Sequence, residues 1–101
     1  MTHVKLNLSC PAALGDQLVE YLLESEWLDG GFTTLPGHGH GRDFAAATLA
    51  EKVRGRVHVL TIMAILPSEN TIPLLAALKQ RFPSPHLFYW TEPIADFGDF
   101  T

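Results

Sequence analysis

Cysteine occurs once in this chain of 101 residues, as Cys10, and a single thiol excludes an internal disulfide framework. Positive charge is scarce as well. Seven Lys and Arg are spread thinly along a chain of formal net charge −4, so no basic stripe exists to neutralise a phosphate backbone, and nucleic acid is excluded as an expected ligand. Long apolar runs are missing too. The longest, VLTIMAIL from Val59 to Leu66, has eight residues, against the roughly 20 that a helix needs to span a bilayer; no membrane insertion is expected. The start, MTHVKLNLSC, lacks the charged and apolar segments of a secretory leader, which points to a cytoplasmic protein. No nucleophile stands at usable spacing from a base, and no paired carboxylates interrupt the apolar segments. Ser9 and Ser68 fall at expected helix starts, where capping accounts for them. The expectation is a binding protein and not an enzyme.

What is present is the patterning of one α+β domain over residues 1–101. HVKLNL, residues 3–8, alternates so that Val4, Leu6 and Leu8 share one face of a first strand. Pro11 suits a first helical position, and Leu14, Leu18, Tyr21 and Leu22 recur at helical spacing, predicting a helix from about 11 to 26. Asp29, Gly30 and Gly31 stop it, and GFTTL, residues 31–35, reads as a second strand. ATLAEKV has the composition of a short helical turn. Residues 56–66 give the strongest strand signal, with Val59, Met63 and Ile65 on one face and Leu60, Ile62, Ala64 and Leu66 on the other. Asn70 or Thr71 can cap a second helix, with Pro73 in its first turn and Ile72, Leu75, Leu78 and Phe82 inward. HLFYW, residues 86–90, is a fourth strand, and a tail from about 92 to 101 carries Ile94, Phe97 and Phe100 as anchors.

The order β-α-β, long insert, β-α-β predicts a ferredoxin-like split βαβ fold, a four-stranded antiparallel sheet with two helices on one face. Strands three and four are apolar on both faces, so the second face needs cover. A homo-oligomer of closed symmetry, with sheets packed together, is expected.

The insert, about 36–55, contains the one low-complexity stretch, GHGHG. Its glycines predict a flexible arm. His38 and His40 are two apart, so in an extended segment both imidazoles face one side and can hold a borderline divalent metal such as Cu, Zn, Ni or Co. Asp43, Cys10 and His58 can join them only if the fold brings them near. Gly39 and Gly41 leave the backbone free to form a donor nest, and Arg42 adds a fork that fits a carboxylate, bicarbonate or phosphate. An Arg42 paired to Asp43 or Glu51 is the alternative. Arg54 and Arg56 flank Gly55 and either extend this anion site or form the polar edge of a hairpin. Phe88, Tyr89 and Trp90 favour core or interface packing over the stacking of a base.

The element order resembles the PII signalling superfamily, which includes the CutA proteins. Gly39, His40, Gly41, Arg42 and Asp43 echo the Gly-x-Gly-Arg-Gln at the base of the PII T-loop. GFTT with GHGHG, then LAEKVRGR, an apolar strand and HLFYWTEPI are similar to a small PII-like family encoded beside heavy-metal efflux (RND) pumps in proteobacteria. The resemblance implies a homotrimer, a small-molecule or ion effector (an anion, nucleotide or metal) in the intersubunit clefts, and a T-loop-like insert that reports to a partner, here a membrane efflux pump or its accessory protein. The PII phosphate cradle has no counterpart in PSPH, residues 83–86, and residues 36–56 hold no tyrosine for uridylylation. The PSPH connection and the HLFYW strand lie nearer CutA, whose resemblance implies instead a divalent-metal tolerance protein using His38 and His40.

Overall fold

The computed structural model describes residues 2–41 and 56–101. The helical turn expected in ATLAEKV, together with Arg42, Asp43, Glu51 and Arg54, lies outside the described residues.

Strand β1 (His3–Pro11) leads through a 3-10 turn (Ala12–Leu14) into α1 (Gly15–Leu23) and then β2 (Thr33–His40). Past the insert come β3 (Arg56–Pro67), α2 (Ser68–Arg81) and β4 (Phe88–Pro93). The sheet has the order β2-β3-β1-β4 and every neighbouring pair is antiparallel. This is the expected split βαβ architecture.

The register explains how the alternation becomes a core. Leu6 stands opposite Ala64, Leu8 opposite Ile62 and Cys10 opposite Leu60, so one face carries an apolar row. Against it pack Leu18 and Leu22 of α1 and Leu74 and Leu78 of α2, with Phe82 and Leu28 at the margins, all buried in one cluster. Tyr21 meets the Phe82 ring edge-on at 5.5 Å and ties the two helices together.

Several boundaries differ from those expected. Pro11 is the last residue of β1, opposite Val59, and not the first of a helix: its φ of −56° and ψ of 140° are extended. The pyrrolidine ring fixes φ but leaves ψ free, so proline fits either role. The first helix is correspondingly shorter than 11–26. Helix α2 starts at Ser68, before Asn70 and Thr71, because Ser68 is tied to Thr2 through its N–H (3.0 Å to the Thr2 carbonyl) and its hydroxyl (2.6 Å to Thr2 Oγ1). Pro73 therefore lies in the second turn. The inward face is Thr71, Leu74, Leu75 and Leu78, and Ile72 points out, 78% exposed. Strand β4 starts at Phe88, after a turn over residues 83–87, and runs to Pro93. In the tail, Phe97 contacts the His3 ring at 5.1 Å, but Phe100 is fully exposed and anchors to nothing among the described residues.

The second face is mixed. Val59, Met63 and Ile65 line its centre, half-buried, with exposed Leu35, Phe88 and Trp90 to the sides. Between them sits a polar knot that the sequence did not announce. Asn7 is 2% exposed and its Nδ2 donates to Glu92 Oε2 at 2.8 Å. The same oxygen accepts from Trp90 Nε1 at 3.2 Å and lies 4.0 Å from Lys5 Nζ.

Gly31 has φ +85°, the one positive φ among the described residues, and nothing crowds its missing side chain. Gly31→Ala is expected to lower stability by about 1 kcal/mol through backbone strain alone, read as a shift in the urea midpoint at unchanged slope.

Candidate functional site

β2 does not stop at Leu35. Gly37, His38, Gly39 and His40 continue it, opposite Val59, His58, Val57 and Arg56. The GHGHG stretch is thus largely ladder and not flexible arm. Glycine weakens a strand, but a neighbour already committed to the sheet supplies the backbone partners. Steric need is not the reason for Gly37, since a Cβ there would meet Val59 Cγ2 at an ordinary 3.8 Å. Gly41 is exposed and begins the departure from the sheet.

This extension gathers histidines. His38 and His40 share one side of β2, and His58 lies directly across from His38, with ring centroids 4.9 Å apart and planes inclined by 48°. The pair is exposed, one step beyond the core row that ends at Cys10 and Leu60. His86 approaches from the connection into β4. A cavity of about 170 Å³ forms here, lined by Ser9 and Pro11 of β1, Gly39 and His40 of β2, Val57 and Val59 of β3, and His86 and Phe88. Four of the five histidines therefore collect at one end of the sheet, while His3 stands at the other, opposite Pro67.

The cavity joins apolar walls (Val57, Val59, Phe88) to hydrogen-bonding groups (Ser9, His40, His86). Its volume is below the roughly 300–1,000 Å³ of a small-molecule site. One protomer has room for a small ion or for part of a larger site. The turn before β4 offers little to a phosphate: the His86 N–H is given to Ser84 Oγ at 3.1 Å and the Leu87 N–H to the Ser84 carbonyl at 3.4 Å. A second cavity, about 320 Å³, separates α2 from β4 and is almost wholly apolar, with Leu75, Leu78, Phe82 and Tyr89 among its walls. Lys79, also in its lining, holds its Nζ over the Tyr89 ring, 5.3 Å from the ring centre.

Among the described residues no three His, Cys, Asp or Glu side chains assemble to hold a metal. Cys10 is buried in the core, and burial pushes its thiol above the ordinary value, so it stays protonated at neutral pH. Of the expected anion-site residues, Gly39 lines the cavity, Gly41 lies just beyond it and Arg56 opens β3. Sequence reasoning left the His58 pairing open to the fold and missed the approach of His86 and the Asn7–Glu92 bond. The first was within reach once GHGHG is allowed to extend a strand, because pairing back from Met63 opposite Thr33 puts His58 on His38. Among the described residues no helix is long and apolar enough to cross a membrane.

The model of the family described as "Protein of unknown function (DUF3240)" matches residues 1–101. The crystal structure of a DUF3240 family protein from Shewanella baltica OS155 is similar at TM-score 0.79 and 24% identity, covering 100% of this chain and 99% of that one. CPII, a nitrogen regulatory PII-like protein from Thiomonas intermedia K12 bound to ADP, AMP and bicarbonate, is similar at TM-score 0.71 and 18% identity, covering 99% and 98%. A Bacillus cereus protein related to NIF3 matches at TM-score 0.69 and 15% identity, covering 94% of this chain and 26% of that one. No curated protein matches. At these identities the structural likenesses establish the fold, which is PII-like.

Proposed function

The chain belongs to the DUF3240 family, and from that premise we propose that it is a PII-like regulatory protein that takes a small anionic effector at the histidine-lined end of the sheet. The observation that carries this reading is the 170 Å³ cavity itself, polar at Ser9, His40 and His86, set on the face of the sheet that a second copy would cover. Closing such a partial site needs a partner surface, and a homotrimer packed through its sheets supplies one three times over. CPII shares the fold across nearly the whole chain and is bound to ADP, AMP and bicarbonate, which supports a small anionic effector for a chain of this fold.

The engaged N–H groups of His86 and Leu87 favour bicarbonate or a nucleoside monophosphate over a triphosphate held by a backbone cradle. Arg42, Arg54 and Arg56 supply the cations, and Gly39 and Gly41 let the backbone approach. Effector contacts with residues 42–55 then bias which partner surface the protein presents. A differential affinity of a few kcal/mol between two arrangements is enough for a useful switch. The partner is a membrane efflux pump or its accessory protein, the reading that the family resemblance favours.

Isothermal titration with bicarbonate, AMP and ADP tests the site. At least one of them is expected to bind, and His86→Ala or Arg42→Ala to weaken it by roughly 10–100-fold, the loss of one charge-assisted hydrogen bond. No binding of any of the three at millimolar concentration, or binding indifferent to both substitutions, would refute the proposal.

A further inference from the structure

The geometry points to a two-imidazole site for a first-row divalent transition ion, formed by His38 and His58 across the β2–β3 pair. Alternate residues of one strand are about 6.6–6.8 Å apart, whereas directly opposed residues of antiparallel strands bring their Cβ atoms within about 4.5–5.5 Å. The cross-strand partner of His38 is therefore nearer to it than His40, its neighbour along the strand. The ring separation agrees with a shared ion. With metal–nitrogen bonds of about 2.0–2.1 Å and each nitrogen about 1 Å from its ring centre, two imidazoles on one ion at 90–110° place their centroids roughly 4.2–5.1 Å apart. His38 and His58 stand at 4.9 Å, inclined and not stacked face to face.

Three further observations fit. Both side chains are exposed, so an ion reaches them without opening the core. The strands that carry them are fixed by continuous pairing from Thr33–Met63 to His40–Arg56, so the two rings are held close before any ion arrives. Imidazole selects Cu, Ni, Co or Zn over Mg and Ca, which prefer oxygen, and a net charge of −4 favours a cation at the surface. Water fills the remaining positions, which suits an exchangeable ion better than a structural one. The site shares neither His86 nor the walls of the anion cavity, so it stands or falls separately from the effector proposed above.

The test uses the whole chain and the metals alone. Cu(II) is titrated and followed by electron paramagnetic resonance, and Ni(II) by calorimetry, on the native protein and on His38→Ala, His58→Ala, His58→Gln, His40→Ala and His86→Ala. The expected result is one ion per chain with two nitrogen ligands. Removing either His38 or His58 should weaken binding by about 100-fold, the upper end of what even indirect ligand partners contribute. His40→Ala and His86→Ala should stay within about threefold of native. Unchanged far-ultraviolet dichroism separates ligand loss from unfolding, and His58→Gln keeps the bulk of the side chain if alanine disturbs the strand. Binding that survives loss of His38 or His58, that falls equally with His40, or that is absent at millimolar metal would overturn the assignment.

Discussion

For the proposed sheet-packed trimer, Met63→Asp is expected to yield single protomers at micromolar concentration. Met63 lies at the centre of the second sheet face, between Asn7 of β1 and Thr33 of β2, with Lys5 lining the same hollow. In a lone protomer the position is half-buried, so water still reaches the charge and the substitution is tolerated. In a sheet-packed oligomer the same carboxylate is desolvated, and Lys5, already beside Glu92, offsets only part of a cost of several kcal/mol in every copy. Repeated around a closed ring, that cost exceeds what an interface of ordinary size holds in reserve. Met63→Leu keeps volume and polarity and should leave the assembly intact. Sedimentation velocity reads both. An aspartate variant that sediments like the native protein would place the interface elsewhere.

Leu74→Ala should be the most damaging of the conservative changes to the fold. Leu74 is fully buried at the centre of the α2 contact with the sheet, and truncating it removes packing and leaves a cavity that its neighbours only partly fill. The expected loss is about 2–5 kcal/mol, a fall in Tm of roughly 10 °C or more for a domain of this size. The informative contrast is Ile72→Ala, two residues away. Ile72 is 78% exposed, and its truncation should change stability by no more than about 0.5 kcal/mol. Equal losses at the two positions would mean that α2 is rotated about its axis from the orientation described.

That contrast also shows where the sequence was readable. Val4, Leu6 and Leu8 alternate in the strand period and all face the helices, and the two-sided apolar run of β3 marks a strand with cover on one face and half-burial on the other. The order of elements, and with it the ferredoxin-like sheet, followed from these periods. On α2 the reading was partial: Leu75, Leu78 and Phe82 pack inward as expected, but Leu74 takes the place given to Ile72. The helix start was hidden because it depends on Ser68 meeting Thr2, a contact between residues 66 positions apart. The end of β2 was hidden for a related reason. Gly37 and Gly39 carry no intrinsic strand preference, so only the partner strand makes a ladder of them, and without that register His58 has no visible connection to His38. Asn7 sits mid-strand in a polar position that reads as solvated, whereas Glu92, far along the chain, bonds it and Trp90, its cross-strand partner, bonds the same Glu92 oxygen. The anion-site arginines Arg42 and Arg54 fall outside the described residues, and their role rests on the proposal above.

The effector reading depends on the second sheet face being an interface, since a partial cavity becomes an effector cleft only when another copy closes it. Native mass spectrometry of the unmodified protein at micromolar concentration measures this directly. The account predicts a single species at three times the 11.1 kDa mass of the chain; a stable species at the mass of one chain, with no larger form as concentration rises, would contradict it.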